Sequence, residues 1–199
     1  MERITQTKPM ARKDQIRQKA QALFRERGYR ATSMRDLAET LGMEAASLYN
    51  HISSKEELLQ QICFAMADQF FEAVEPVVAS PLGPKEKLRA AIEAHLGVIA
   101  ASADASAVFL HEWRHMGEPF LNDFKLMRRR YEKMIRAIVE EGISLGMFRK
   151  IDPSLVVRTL LSGTNWTYES YKSHRLQGKL SEQEISEITS ILVEGIITR

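Results

Sequence analysis

Between Ser33 and Asn50 two short helical segments flank a single glycine, Gly42. Neither is long enough to be stable alone, because isolated helices under about 12 residues are marginal in water. The first opens with Ser33 and Asp36 in a capping arrangement and carries Leu37, Ala38 and Leu41 on one face. The second spans Glu44 to Asn50. Such pieces persist only by packing on a third element. A helix expected from about Arg12 to Arg27 supplies it, with Ile16, Ala20, Leu23 and Phe24 at i, i+4, i+7 and i+8. Gly28 ends that helix, and Arg25 and Arg27 sit in its last turn, where cations suit the dipole. This is the layout of a helix-turn-helix whose second helix enters a DNA major groove.

The charge distribution agrees with that layout. Residues 1–55 carry eleven Lys/Arg against six Asp/Glu, whereas residues 56–199 carry seventeen against twenty. A basic head on a slightly acidic body suits a polyanion at one end only. The second short helix carries Glu44, Ala45, Ala46, Ser47 and Asn50; its small side chains let the backbone approach base edges, and the Ala methyls suit thymine methyls. Tyr49, His51 and Lys55 suit phosphate oxygens, as do Ser33 and Arg35 at the start of the first. The bland alternative is a three-helix packing unit with no nucleic-acid role.

Helical periodicity continues through the rest of the chain, and strand signals are nearly absent. Ser53 with Glu56 and Ser54 with Glu57 offer two overlapping capping boxes for a long fourth helix through Val74. Pro76 to Pro84 reads as a loop. Further helices are expected at about Lys85–Ala101, Ala105–Met116, Glu118–Leu145, Asp152–Ser173 and Ser181–Ile197. The last two open on Asp152 before Pro153, and on a Ser181/Glu184 capping box. Cys63 is the only cysteine, so no intrachain disulfide is possible and a reducing compartment is the default. The first residues lack the apolar run of a signal peptide and no segment is apolar for long enough to span a bilayer. A cytoplasmic protein without a membrane partner is expected.

Thr32-Ser33-Met34-Arg35-Asp36-Leu37-Ala38-Glu39 with Gly42, then Ser47-Leu48-Tyr49-Asn50-His51-Ile52 and Ser54-Lys55-Glu56-Glu57-Leu58-Leu59, closely resemble the N-terminal domain of the TetR family of bacterial transcriptional regulators. The likeness covers about Ala11 to Ile62. It departs at Glu44-Ala45-Ala46, where many members have a Ser- or Gly-containing triplet, and at Ile52, where Phe is usual. The resemblance implies an all-α homodimer on a pseudo-palindromic operator. It also implies a DNA-binding domain over 10–53 and a ligand-binding and dimerisation domain over 54–199. Phe109-Leu110-His111-Glu112-Trp113-Arg114, Gly146-Met147-Phe148-Arg149 with Asp152-Pro153, and Thr164-Asn165-Trp166 followed by Gly178-Lys179-Leu180-Ser181 resemble the acyl-CoA-responsive branch of that family.

His111-Glu112-Trp113-Arg114-His115 also matches the zinc pattern His-Glu-x-x-His, in which two imidazoles one helical turn apart hold the metal. No spacing announces a third ligand, so neither catalysis nor a metal or other cofactor is expected. The reading adopted is a repressor released from DNA by a small amphipathic effector such as an acyl-CoA. The alternative is a drug-sensing repressor of an efflux gene, and a remote one is a zinc metallopeptidase. Phe109, Trp113, Phe124, Tyr131 and Trp166 are the expected apolar wall, with Asn165, Tyr168 and Tyr171 near Trp166. Arg128 and Arg114 are the expected cations at its rim, whereas Arg129 and Arg130 of the same run point to water. Leu155, Val156, Leu160 and Gly163 on the eighth helix are expected to form the dimer interface with Ile185, Ile188, Leu192 and Ile196 on the ninth.

Overall fold

The computed structural model describes residues 11–172 and 180–198, with the side chains of 168–172 excepted. Tyr168 and Tyr171 therefore lie outside the described side chains, and Gly178 and Lys179 outside the described residues. The described elements are α1 (Arg12–Arg27), α2 (Met34–Thr40), α3 (Ala45–Tyr49), α4 (Lys55–Val78), α5 (Pro84–Ala101) and α6 (Ala103–His111). A 3-10 turn (Trp113–His115) leads to α7 (Phe120–Ser144), α8 (Pro153–Lys172) and α9 (Glu182–Glu194). The fold is all-α, and among the described residues extended backbone pairs only at one antiparallel bridge, Phe148 with Ile197.

α1, α2 and α3 form the head. Ile16, Ala20, Leu23, Phe24, Leu37, Ala38, Leu48 and Ile52 close its core, each at most 5% exposed. The Ser33 cap is complete: Asp36 N–H donates to Ser33 Oγ (3.1 Å), and Ser33 N–H donates back to the Asp36 carboxylate (2.7 Å). These bonds hold the Asp36 carboxyl below its ordinary range. Gly42 takes φ +63°, which a side chain resists, and lets Met43 N–H reach back to Ala38 O (3.0 Å). The angle between α2 and α3 is set there.

α4 begins differently from either expected box. Ser54 Oγ accepts from Glu57 N–H (3.0 Å), but the Glu57 carboxylate turns to Ser53, accepting from its N–H (2.7 Å) and hydroxyl (2.6 Å). Glu56 takes no part, because its carboxylate accepts from Gly117 N–H (2.7 Å), 61 positions away. The expected break at Pro76 is also displaced. α4 runs on to Val78, since a proline in the last turn forfeits only one bond and Ala79 N–H still reaches Glu75 O (3.0 Å). The loop is confined to 79–83, and Pro84 opens α5.

In the body α4 and α5 form the centre, and α6, α7, α8 and α9 pack around them. α7 buries Phe124, Tyr131, Ile135, Ile138 and Val139. Val156 and Leu160 on α8 are buried within the protomer (5% and 2% exposed) and so do not belong to an outer interface stripe. The run Leu155-Val156-Val157 supplies apolar residues to both sides of the helix, and periodicity cannot say which side turns inward. The outward side carries Leu155 (49% exposed) and Trp166 (67%), opposite Ile191 (77%) on α9. Gly163 serves contact inside the protomer: a Cβ there would lie 2.9 Å from Leu192 Cδ2.

Candidate functional site

The head presents its expected contact residues on one surface. Glu44, Ala46, Ser47, Tyr49 and Asn50 are exposed on or beside α3, and Ala45 and His51 are half-buried. Leu48 and Ile52 point the other way and anchor the helix, so the smaller residue at Ile52 fills the same core. Arg35 is exposed and bridges to Glu39 (3.2 Å). Ser33 holds its hydroxyl proton on Asp36 (2.7 Å). Lys55 differs from the expectation of an open phosphate contact. Its Nζ donates to Tyr29 O (2.8 Å) and Thr32 O (2.7 Å) and lies 4.3 Å from the Tyr29 ring centre. Burial lowers its pKa, with Asp36 acting in opposition. Lys55 ties the turn after α1 to the start of α4, and no motif spacing showed that.

The head and the start of α4 meet the rest of the body here: Tyr29 of that turn stacks on His115 at 5.5 Å, Arg25 of α1 pairs with Asp104 on α6, and Glu56 of α4 holds Gly117 N–H. The 3-10 turn Trp113–His115 thus touches the head at one end through His115. At its other end Trp113 packs on Phe124 (5.6 Å). The turn also disposes of the His-Glu-x-x-His geometry. α6 ends at His111, so the two histidines do not share a helical face, and His115 is engaged with Tyr29 and Glu112 (3.4 Å). Among the described residues no three His, Cys, Asp or Glu come together as metal ligands.

A cavity of about 40 Å³ lies in the body between α4, α5, α6, α7 and α8. Phe70, Phe71, Phe109, Met127 and Leu161 give it an apolar wall. Three polar residues join inside it: His95 Nδ1 meets Tyr131 Oη at 2.9 Å, and Nε2 meets Asn165 Oδ1 at 3.1 Å. Complete burial drives the His95 pKa down to about 4, so the ring is neutral at pH 7. An amide oxygen only accepts. Nε2 therefore carries the proton, Nδ1 accepts from the Tyr131 hydroxyl, and the Asn165 amide N–H groups have no protein partner among the described residues. Burial likewise raises the Tyr131 pKa.

Arg128 lines the cavity edge and places its guanidinium 5.0 Å from the Trp113 ring centre, with Arg114 at 4.6 Å. Burial lowers the Arg128 pKa; Glu132 opposes that and Arg114 adds to it. Neither arginine has a carboxylate within 4 Å among the described residues. Of the expected ligand residues, Phe109, Arg128 and Tyr131 line the cavity, and Trp113, Phe124 and Arg114 stand behind it. Trp166 does not reach it: it faces outward beside Ile188 and Ile191. His95 was not among the expected residues, although it interrupts the apolar row Leu88, Ile92, Ile99 on α5, which was the available signal.

The family described as "Bacterial regulatory proteins, tetR family" matches residues 16–62, and "Tetracyclin repressor-like, C-terminal domain" matches residues 81–196. The chain belongs to the TetR family of transcriptional regulators. It is 31% identical to the HTH-type transcriptional repressor KstR2 of Rhodococcus jostii, over 89% of this chain and 87% of that one. The KstR2 structure from Mycobacterium tuberculosis superposes with a TM-score of 0.86 at 27% identity, covering 96% and 98% of the two chains. AibR in complex with isovaleryl coenzyme A and operator DNA superposes with a TM-score of 0.79 at 26% identity, covering 92% and 98%. As a TetR-family regulator the chain binds operator DNA and a small-molecule effector. Among the described residues no single helix is long and apolar enough to cross a membrane.

Proposed function

We propose that this regulator is a repressor whose effector is an acyl-CoA, taken up in the α4–α8 cavity and released from control of DNA through the 3-10 turn. The observation that carries the reading is Arg128: a guanidinium partly withdrawn from water, at the edge of an aromatic cavity, beside a second arginine and with no carboxylate within 4 Å among the described residues. Such an arrangement suits an apolar body joined to an anionic group. The complex of AibR with isovaleryl coenzyme A and operator DNA supports it. The protein acts in the cytoplasm by binding alone, with no catalytic step.

In the head, Ala45, Ala46 and Asn50 face bases, whereas Arg35, Tyr49 and His51 meet phosphates. A cavity of about 40 Å³ is too small for an acyl chain, so entry displaces Phe109, Met127 and their neighbours. Trp113 rests on Phe124 and under Arg128, and its displacement moves a turn that His115 fastens to the head and Gly117 to the start of α4. The dimer forms through α8 and α9 with Leu155, Trp166, Ile188 and Ile191 outermost. A changed spacing of the two heads then weakens operator binding, since half-sites must lie about one helical turn apart.

Titration of operator-bound protein with acyl-CoAs from butanoyl to dodecanoyl tests the reading. Release by the thioester at concentrations where the free acid is inert supports it, and Arg128→Ala narrows the gap. Release by apolar drugs with no response to any acyl-CoA overturns it.

A further inference from the structure

Three acids stand in the α2–turn–α3 unit, Asp36, Glu39 and Glu44, and two of them are engaged. Asp36 closes the Ser33 cap, and Glu39 pairs with Arg35 at 3.2 Å. Glu44 is exposed where the chain turns into α3, and its side chain makes no cap hydrogen bond. It has no cation within 4 Å among the described residues. Arg12 reaches the adjacent Met43, with one nitrogen 3.5 Å from its Sδ, but gives another to Gln15 (2.8 Å). The Glu44 backbone is still extended (φ −69°, ψ 142°), so the spacing to buried Leu48 does not turn its side chain into the core.

On another face such a glutamate would be a solvated group with no further role. On a surface that approaches DNA it is costly, because phosphates repel it and none can pair with it. Only a base edge offers it a donor. A carboxylate accepts and does not donate. In the major groove thymine presents an acceptor and a methyl, guanine two acceptors, and adenine an acceptor beside its amino group. Cytosine alone presents an amino donor with no acceptor beside it. The residues that open the second helix of a helix-turn-helix are those that reach base edges. Ala45 and Ala46, which follow Glu44, are short and leave it room.

We propose that Glu44 is a specificity-determining residue of the operator contact and reads the amino group of a cytosine in each half-site. The inference goes beyond the effector reading and rests on α3 lying in the major groove. Glu44 lowers affinity for DNA in general and raises discrimination at one base pair. Asn50, at the other end of α3, both donates and accepts and so suits adenine. In a two-fold assembly the cytosines stand at mirrored positions of the operator.

The test needs neither an effector nor a prior operator sequence. A randomised duplex library is selected with full-length wild type, Glu44→Ala and Glu44→Gln. Base preferences are then measured by fluorescence anisotropy at one salt concentration. Unfolding at the wild-type temperature checks the variants, since Glu44 is exposed and caps nothing. Wild type is expected to favour cytosine at one mirrored pair of positions by about tenfold or more per half-site. Glu44→Ala abolishes that preference, and Glu44→Gln, which donates as well as accepts, shifts it toward adenine. Replacing that cytosine by 2-pyrimidinone, which lacks the amino group, weakens wild type about tenfold more than it weakens Glu44→Ala. An unchanged profile in Glu44→Ala, or loss there of a preference for another base, overturns the assignment. Ala46→Val and Asn50→Ala separate the two readings. A profile that they alter and Glu44→Ala does not leaves α3 in the groove, whereas no change in any variant overturns the groove reading as well.

Discussion

In the head, the side-chain bonds that open α2 join residues three apart, Ser33 with Asp36. In the cavity, His95 meets Tyr131 across 36 positions and Asn165 across 70. The caps and turn of the head are assembled from local signals, and Ser33, Asp36, Arg35 and Glu39 pair with one another within it. The body assembles its cavity from five helices and, among the described residues, leaves Arg114 and Arg128 without a carboxylate within 4 Å and the Asn165 amide N–H groups without a protein partner. A surface that must match DNA register gains from being pre-formed, whereas a site that must respond has to retain interactions that only a ligand completes.

The comparison breaks first if the head can work alone. With the interface proposed on α8 and α9, Ile191→Asp is expected to place two charges in it and separate the protomers, with operator affinity falling by about 10²–10⁴-fold as the linked second head is lost. Sedimentation and DNA titration read both effects, and circular dichroism should show the helices retained. A dimer that persists at micromolar concentration would move the interface away from Ile191.

A second contrast lies in pH. His95 remains neutral in the folded chain down to about pH 4, whereas in the unfolded chain it protonates below its ordinary 6.5. Between those values the unfolded state binds the extra proton. Stability is thus full above pH 6.5 and declines as pH falls toward 4, at up to about 1.4 kcal/mol per pH unit and ~3 kcal/mol in all. Urea unfolding across that range should show a steeper loss for wild type than for His95→Gln. Equal slopes would mean that the ring is not held neutral.

Glu56→Ala sharpens the link between the two regions. Its carboxylate fastens the start of α4, where the head joins the body, to Gly117, so removal should leave both effector affinity and bare operator affinity near wild type. The factor by which effector weakens DNA binding should fall, by about two- to fivefold. An undiminished factor would place the coupling elsewhere, with Arg25–Asp104 the next candidate. The smallest effect is expected for Ser33→Ala, which removes one cap and should lower Tm by about 2–4 °C. It should leave effector binding unchanged; a loss of effector affinity would show that head and cavity are not independent in the free protein.

Much of the head was legible in advance because its signals are short-range. α1 runs over Arg12–Arg27 as its periodicity implies, the Ser33 and Ser181 caps form, and Gly42 makes the turn. Where local signals competed, sequence reasoning went astray. Two serines and two glutamates precede α4, and Glu56 was drawn off by Gly117. Pro76 was read as a break and is tolerated in a last turn. α6 was extended through the His-Glu-x-x-His, but the helix ends at His111. In the body Phe109, Arg128 and Tyr131, read from the apolar row of α7 and the likeness around Phe109, line the cavity. Phe71 and His95 also line it and were not among the expected residues, because a cavity-lining side chain and an ordinary core one look alike until neighbours from other helices are placed beside them.

By itself, then, the amino-acid sequence determined the all-α class, the head, most helix ends and the family, since each rests on contacts within about one helical turn or on motif order. The tertiary structure decided which side of α8 faces inward, that Lys55 is bound to backbone, and that His95, Tyr131 and Asn165 form one chain of hydrogen bonds. Those outcomes depend on distances between residues far apart along the chain. Helical periodicity records that a face is apolar and is silent on which partner will cover it.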